Sequence, residues 1–204
     1  MQLSTESFNG KIKLFVDEEY QFTIDSAVFY SYDLRDGDEI TPEELAQIKN
    51  DSESRRAYSA ALRLLTLRAH AEKELRTKLS KKYNSEAVDF AVDKCRDLGF
   101  IDDEAFAHAY AEELHRKKHY SAARIKRELN FKGIDREMAE IAVEGLDISE
   151  IKAIIDLLNT KYSAASDEKQ QRRAVAALVR LGYDYGSIRT AMREIGFGSE
   201  IIDE

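Results

Sequence analysis

Three leucines about 50 residues apart are each followed four residues later by a tyrosine or glycine: Leu79 and Tyr83, Leu129 and Gly133, Leu178 and Gly182. Each mark closes a basic stretch with apolar residues at helical spacing. Each is followed by a polar residue that opens another helical pattern: Asn84-Ser85, Asp135 and Asp184. Self-similarity at such a period marks a repeat architecture, in which no unit buries its apolar face alone. The prediction is a mainly α chain of three tandem three-helix repeats in an elongated crescent. That shape holds another macromolecule more readily than it encloses an active site.

The composition agrees with helix. The chain of 204 residues is 43% apolar and 34% charged, with one proline and no tryptophan, and it is rich in Ala, Leu, Glu, Lys and Arg. Cys95 is the single cysteine, so an internal disulfide and a cysteine zinc cluster are excluded; its place in the helical run Ala87 to Leu98 predicts a small core residue. No apolar run approaches the roughly 20 residues of a membrane span, and Met1-Gln2-Leu3-Ser4 begins no signal peptide. A cytoplasmic monomer is expected. The net charge of −8 argues against a generic nucleic-acid coat, but the charge is unevenly placed. Residues 1–54 hold 4 Lys/Arg against 13 Asp/Glu, whereas residues 55–143 hold 19 against 15. A locally basic middle behind an acidic first segment implies weak, salt-dependent DNA affinity assisted by some other contact.

The strand signal is confined to residues 11–24, where Lys11–Val16 and Tyr20–Ile24 alternate at period two around Asp17-Glu18-Glu19. A short helix from Asp25 or Ser26 to about Gly37 would cover this hairpin, with Phe29-Tyr30 equally suited to a strand. Thr41-Pro42-Glu43-Glu44 is a capping box with proline at N1, and Asp51-Ser52 is expected to break its helix before a longer one from Glu53 to Ala69. The predicted domains are an N-terminal β-hairpin and short-helix module at 1–52, then repeats at 53–101, 102–147 and 148–204. Expected core stripes are Leu62, Leu65 and Ala69, then Leu75 and Leu79, then Val88, Ala91, Val92 and Cys95 in the first repeat. In the second they are Ala105, Ala109 and Leu114, then Ile125 and Leu129, then Met138, Ile141 and Ala142. In the third they are Ile151, Ile154, Ile155 and Leu158, then Ala174, Leu178 and Leu181, then Ile188, Ala191, Met192 and Ile195, with a loose polar connection from Ser163 to Glu168.

Several stretches then resemble one family. Ala61-Leu62-Arg63-Leu64-Leu65 to Arg68, with Glu74-Leu75 and Lys78-Leu79, is similar to the opening repeat of RecX-type regulatory proteins. Leu98-Gly99-Phe100-Ile101-Asp102-Asp103 with Phe106-Ala107 resembles that family's most recognisable motif. Arg124-Ile125, Glu128-Leu129 and Lys132-Gly133-Ile134 resemble its second-repeat signature, and Arg180-Leu181-Gly182-Tyr183 matches the third more weakly. The chain departs from the pattern at Ala71, where a helix-capping serine is common, and at Ser121, where glycine is often found. The resemblance implies a modulator of the RecA recombinase in DNA recombination, repair and the SOS response. Such a protein lies in the groove of the RecA–single-stranded DNA filament and restrains its ATPase, strand-exchange and co-protease activities. Single-stranded DNA would then be met weakly, mainly through the filament.

Such a partner needs cations on helix flanks. Arg124 and Arg127 flank the Ile125–Leu129 stripe on one side and Lys126 on the other; Lys78 lies on one flank of Leu75–Leu79, with Lys73 and Arg76 on the other. Arg68, Lys81, Lys82 and Lys132 lie at helix ends, and Arg116-Lys117-Lys118 is the densest basic run. These thirteen are the candidate contacts with filament or DNA, each weighed against a solvated face with pairs such as Glu72–Arg76 and Glu74–Lys78. Asp102 and Asp103 read as helix caps. The histidines lack the spacing of a metal site, and neither a nucleophile constellation nor a phosphate loop is present, so no catalytic residue, metal or cofactor is predicted. The alternatives are a repressor-like helical module that binds duplex DNA, or a scaffold for an unrelated protein.

Overall fold

In the computed structural model, which describes residues 1–146, 149–163 and 167–198, the chain divides into two compact units, Met1–Ile101 and Asp102–Glu204. The first opens with an antiparallel sheet of β1 (Leu3–Phe8), β2 (Lys11–Val16) and β3 (Glu19–Asp25) in that order. Ile12, Leu14 and Val16 alternate into the core, and the hairpin expected over 11–24 is β2 and β3. The strand β1 was not anticipated. Only Leu3 of its six residues is buried, so there is no period-two signal to read. The strand is held by its ladder with β2 and by Asp36, whose carboxylate accepts from the Thr5 N–H at 2.6 Å.

The helix α1 (Ser26–Ser31) puts Val28 and Phe29 on the sheet. The next, α2 (Pro42–Leu67), is one helix of 26 residues, started by the expected capping box: the Thr41 hydroxyl accepts from the Glu44 N–H, and the Glu44 carboxylate accepts from the Thr41 N–H at 2.9 Å. The break expected at Asp51-Ser52 is absent. The Asp51 carboxylate accepts from the Tyr32 hydroxyl at 2.6 Å instead of capping a helix, and Ser52 is buried within the turn. Burial first, and then that bond to Asp51, pushes the Tyr32 hydroxyl up to about 12. One rod thus serves two cores, with Ile48 against the sheet and Ala57 and Ala61 against the next two helices.

Those helices are α3 (Glu72–Leu79) and α4 (Ser85–Asp97). Leu75, Leu79, Val88, Ala91, Val92 and Cys95 are buried as expected, but the α2 side of this core is Ala57 and Ala61. Leu62 and Leu65 only flank it, and Ala69 is exposed. Ala71 supplies no side-chain cap. The turn before α3 is held by Arg68, which grips the Glu74 carboxylate through both terminal nitrogens at 2.7 and 3.0 Å. Asn84 caps α4 and also donates to Glu53 of α2.

The second unit contains α5 (Asp103–Glu113), a π-helical turn (Leu114–Lys118), α6 (Ala122–Lys132), α7 (Arg136–Glu144), α8 (Glu150–Lys161), α9 (Glu168–Leu181) and α10 (Tyr185–Glu194). Side chains of Asp102, Ser121, Asp135, Asp167 and Asp184 accept from N–H groups of the helices they open, so Asp102 is a cap as predicted. In α5 the buried face is Phe106, Ala107 and Ala111, continued by Leu114 at the start of the π-helical turn, while Ala105 and Ala109 are exposed. Alanines at nearly every turn leave Phe106 and Leu114 to set the phase. In α7, Ala139, Ala142 and Val143 are buried and Ile141 faces out. Ile154, Leu158, Ala174, Leu178, Ile188, Ala191 and Met192 form the last core as expected, with Ile151, Ile155, Leu181 and Ile195 at its margin. The boundary expected at 147/148 and part of the connection from Ser163 to Glu168 lie outside the described residues.

Candidate nucleic-acid interface

The glycine of the third mark locks α6 to the turn after α9. Gly182 sits at φ +99°, and a Cβ there would lie 2.5 Å from Arg124 Cβ and 2.6 Å from Ser121 Oγ, so only glycine lets the two backbones approach. The contact is reinforced around it. The Ser121 N–H donates to the Leu181 carbonyl at 3.0 Å, and the buried Tyr183 hydroxyl donates to the His119 carbonyl at 3.1 Å. Burial first, then the Glu150 carboxylate, pushes that hydroxyl up to about 12.

Beside this contact lies an open cleft of about 540 Å³, lined by Arg124, Arg127, Glu128 and Phe131 of α6 and Val179 and Arg180 of α9. Arg124 and Arg127 therefore share a flank, as their spacing predicts, but they differ in state. The Arg124 guanidinium lies 3.9 Å from the Tyr120 ring centroid, donates to the Arg180 carbonyl and the Tyr120 hydroxyl, and stands 3.6 Å from the Glu128 carboxylate. It is a strut between helices. Arg127 and Arg180 are exposed, and among the described residues neither has an ion-pair partner. Phe131, one turn beyond Arg127, is 82% exposed. Lys126 is half-buried outside the cleft, and Lys132 stands 5.7 Å from the Tyr110 ring centroid.

The other candidates are dispersed. Arg76 is bound by Glu72 of its own helix and by Asp89 and Asp93 of α4, and Arg96 closes the network onto Glu72. Desolvation pushes the Glu72 carboxyl up, but the hydrogen bonds and charges of Arg96 and Arg76 together outweigh it and hold it below the usual range. Lys78 donates to His70 Nε2 at 2.9 Å and lies near Glu74, so Arg68, Arg76 and Lys78 serve the fold of the first unit. Lys73 and Lys81 are exposed, and Lys82 lines a small depression of about 240 Å³ with Lys49, Arg56 and Tyr83. Arg116, Lys117 and Lys118 ride the π-helical turn, where Lys117 pairs with Glu113 at 3.0 Å.

The sequence reading missed a row on α9. Lys169, Arg173, Ala176 and Arg180 are all exposed and fall on one face at spacings of four, three and four. The signal was available: Arg173 and Arg180 flank Ala174 and Leu178 as Arg124 flanks Ile125. Together α6 and α9 carry eight Lys/Arg against two Asp/Glu, although the stretch 102–204 holds 16 against 20. Half of the Lys/Arg of this stretch therefore sit on two helices that carry only two of its acids, and α5 has four acids and no Lys or Arg.

Comparison with known proteins agrees with this architecture. The model of the RecX first three-helix domain matches residues 57–95, and that of the second three-helix domain matches residues 102–143. The regulatory protein RecX of Caldanaerobacter subterraneus subsp. tengcongensis is 32% identical over 187 residues, spanning 90% of this chain and 93% of that protein. That of Bacillus subtilis is 28% identical over 204 residues, spanning 97% and 75%. A crystal structure of regulatory protein RecX shares the fold over 99% of this chain and 97% of its own, with a TM-score of 0.64 at 21% identity. The crystal structure of RecX from Lactobacillus salivarius covers 71% of this chain and 97% of its own, with a TM-score of 0.58 at 27% identity. Among the described residues no helix is long and apolar enough to cross a membrane. With its sheet-bearing N-terminal module, its capped three-helix units and an identity of 32% that extends over nine-tenths of its length, the chain belongs to the RecX family of regulatory proteins.

Proposed function

We propose that the chain binds the RecA–single-stranded DNA filament and inhibits its ATPase, strand-exchange and co-protease activities. Membership of a family of regulatory proteins supports a regulator. The observation that carries the filament reading is the concentration of Lys/Arg on α6 and α9, eight against two Asp/Glu, in a chain of net charge −8. A surface of that kind approaches a polyanion locally, while the remaining acidity suppresses indiscriminate coating of DNA. The protein acts by binding and not by catalysis, in the cytoplasm and as a monomer. Its working parts are the N-terminal module and the repeats at 53–101, 102–147 and 148–204, with α2 shared between the module and the first repeat.

The test is a titration of the purified chain into RecA's single-strand-dependent ATPase at moderate salt, below one molecule per RecA. Inhibition at such ratios is the expected outcome. Unchanged hydrolysis at equimolar protein would sink the reading. Tight duplex binding without RecA would then favour a repressor-like module, and binding to neither would favour a scaffold for another protein.

A further inference from the structure

We propose that the cleft between α6 and α9 is a binding site for single-stranded DNA, in which a base stacks on Phe131 while Arg127 and Arg180 hold flanking phosphates. The proposal rests on the reading above that a DNA-containing filament is the partner, and it names the part of that partner this cleft meets. Three features converge there. The cleft of about 540 Å³ is wide enough for a nucleotide and is open to solvent on one side. Its two arginines without an ion-pair partner among the described residues, Arg127 and Arg180, come from different helices, so both can direct paired N–H groups at one strand. Its aromatic ring is left 82% exposed on the same face of α6 as Arg127, four residues away.

The ring decides which polyanion fits. Carboxylates of an acidic protein segment would be satisfied by the arginines alone and give no use to an exposed phenyl face. Duplex DNA offers no unstacked base to cover it. A single strand offers both phosphate and a free π-face, and base–aromatic stacking tolerates any sequence. The line of charge also continues. Farther along α9, Lys169, Arg173 and Ala176 line a second depression of about 460 Å³ together with the ion-paired Glu168 and Arg172, so the strand has Lys169 and Arg173 to follow beyond the cleft. Arg124 is not a phosphate ligand here; its guanidinium is engaged by Tyr120, the Arg180 carbonyl and Glu128, and it braces the cleft walls.

The experiment is fluorescence anisotropy of a labelled oligo-dT titrated with the full chain, without RecA, from low to moderate salt. The wild type is expected to bind. Phe131→Ala is expected to weaken binding about 5- to 150-fold, the value of one stacked base, and Phe131→Tyr to retain it. Arg127→Gln combined with Arg180→Gln should flatten the slope of log K against log salt by about 1.4, two phosphates at the single-strand value. These side chains are exposed, so unfolding midpoints should stay near wild type. Absence of oligo-dT binding by the wild type at low salt, or unchanged affinity in Phe131→Ala, would overturn the site. So would a double arginine variant that loses RecA inhibition but keeps its oligo-dT affinity, because the cleft would then face protein carboxylates. The RecA ATPase titration is scored separately. Wild-type inhibition with unaltered oligo-dT binding in all variants removes the cleft and leaves the filament reading standing. Oligo-dT binding that depends on Phe131, without RecA inhibition, removes the filament reading and retains the cleft.

Discussion

His70 is buried between two groups that together define its protonation. Its Nδ1 lies 2.9 Å from the Arg68 carbonyl and its Nε2 2.9 Å from the Lys78 ammonium. An ammonium can only donate, so Nε2 accepts and Nδ1–H donates to the carbonyl, which is the neutral ring. Protonation would set a second donor against Lys78. Burial first, then the charges of Arg68 and Lys78, hold its pKa below 6.5, against the opposing pull of the Arg68 carbonyl and Glu74. The unfolded chain therefore binds the proton more readily. The stabilisation is full above about pH 6.5 and is lost as pH falls toward the folded value, each unit of depression costing about 1.4 kcal/mol below both values. The thermal midpoint should fall between pH 7 and pH 5, and His70→Asn, whose amide can still donate to Arg68, should flatten that fall. His119, depressed by burial and then by Lys161 and His115, leaves a residual slope of the same sign in both proteins. An unaltered profile in His70→Asn would assign the acid sensitivity elsewhere.

At the scale of elements, two glycines with left-handed backbones separate strain from contact. Gly99 ends α4 at φ +71° with nothing within 4 Å of where a Cβ would stand, whereas Gly182 ends α9 at φ +99° against Arg124 and Ser121 of α6. Gly99→Ala should cost only the left-handed penalty of about 1–2 kcal/mol. Gly182→Ala adds a displaced α6 and should cost about 1–3 kcal/mol more, with loss of cleft function. Urea unfolding of the two variants tests the difference, and equal costs would mean the α6–α9 contact gives way freely. The same elements explain what could be read in advance. Leu75, Leu79, Ile125, Leu129, Leu178 and the caps at Thr41, Asn84, Asp102 and Ser121 are local signals, periodicity and a side-chain oxygen three residues ahead. The strand β1 is held by non-local hydrogen bonds and has no such signal. The phase of α5 is blurred by alanine, and Asp51 looks like a cap until Tyr32 is folded over it. In the site, spacing alone puts Arg124 and Arg127 on one flank, but which of them is engaged depends on Tyr120 and the Arg180 carbonyl. Phe131, two residues past Leu129, lies off the Ile125–Leu129 stripe, so its exposure follows from spacing, whereas its place beside Arg180 depends on the fold.

For the whole molecule, the question is where the chain can be cut. The buried cluster of the sheet, α1 and α2 contains Ile40 and Ile48, and that of α2, α3 and α4 contains Ala57 and Ala61. The helix α2 therefore transmits order from one to the other. A cut at 52/53 falls inside this helix, separates Asp51 from the turns that follow, and leaves Ala57 and Ala61 on a frayed end without the Thr41 capping box. The last core, by contrast, draws every member from α8, α9, α10 and their connections, within the compact unit that begins at Asp102. Residues 102–204 also hold the α6–α9 contact complete, with Ser121, Gly182 and Tyr183 all present. Expressed alone, 102–204 should unfold in one cooperative urea transition with a smaller m-value than the full chain, in proportion to the surface it buries, and should keep its oligo-dT affinity. A fragment starting at 53 and ending at 101 should show no such transition, while 1–101 should. Cooperative unfolding of 53–101 on its own would mean that α2 is two helices in energetic terms and that the sheet is an appendage. Failure of 102–204 to fold would mean that its cores depend on the first unit, and the charge of α6 and α9 would then have to be interpreted only in the intact chain.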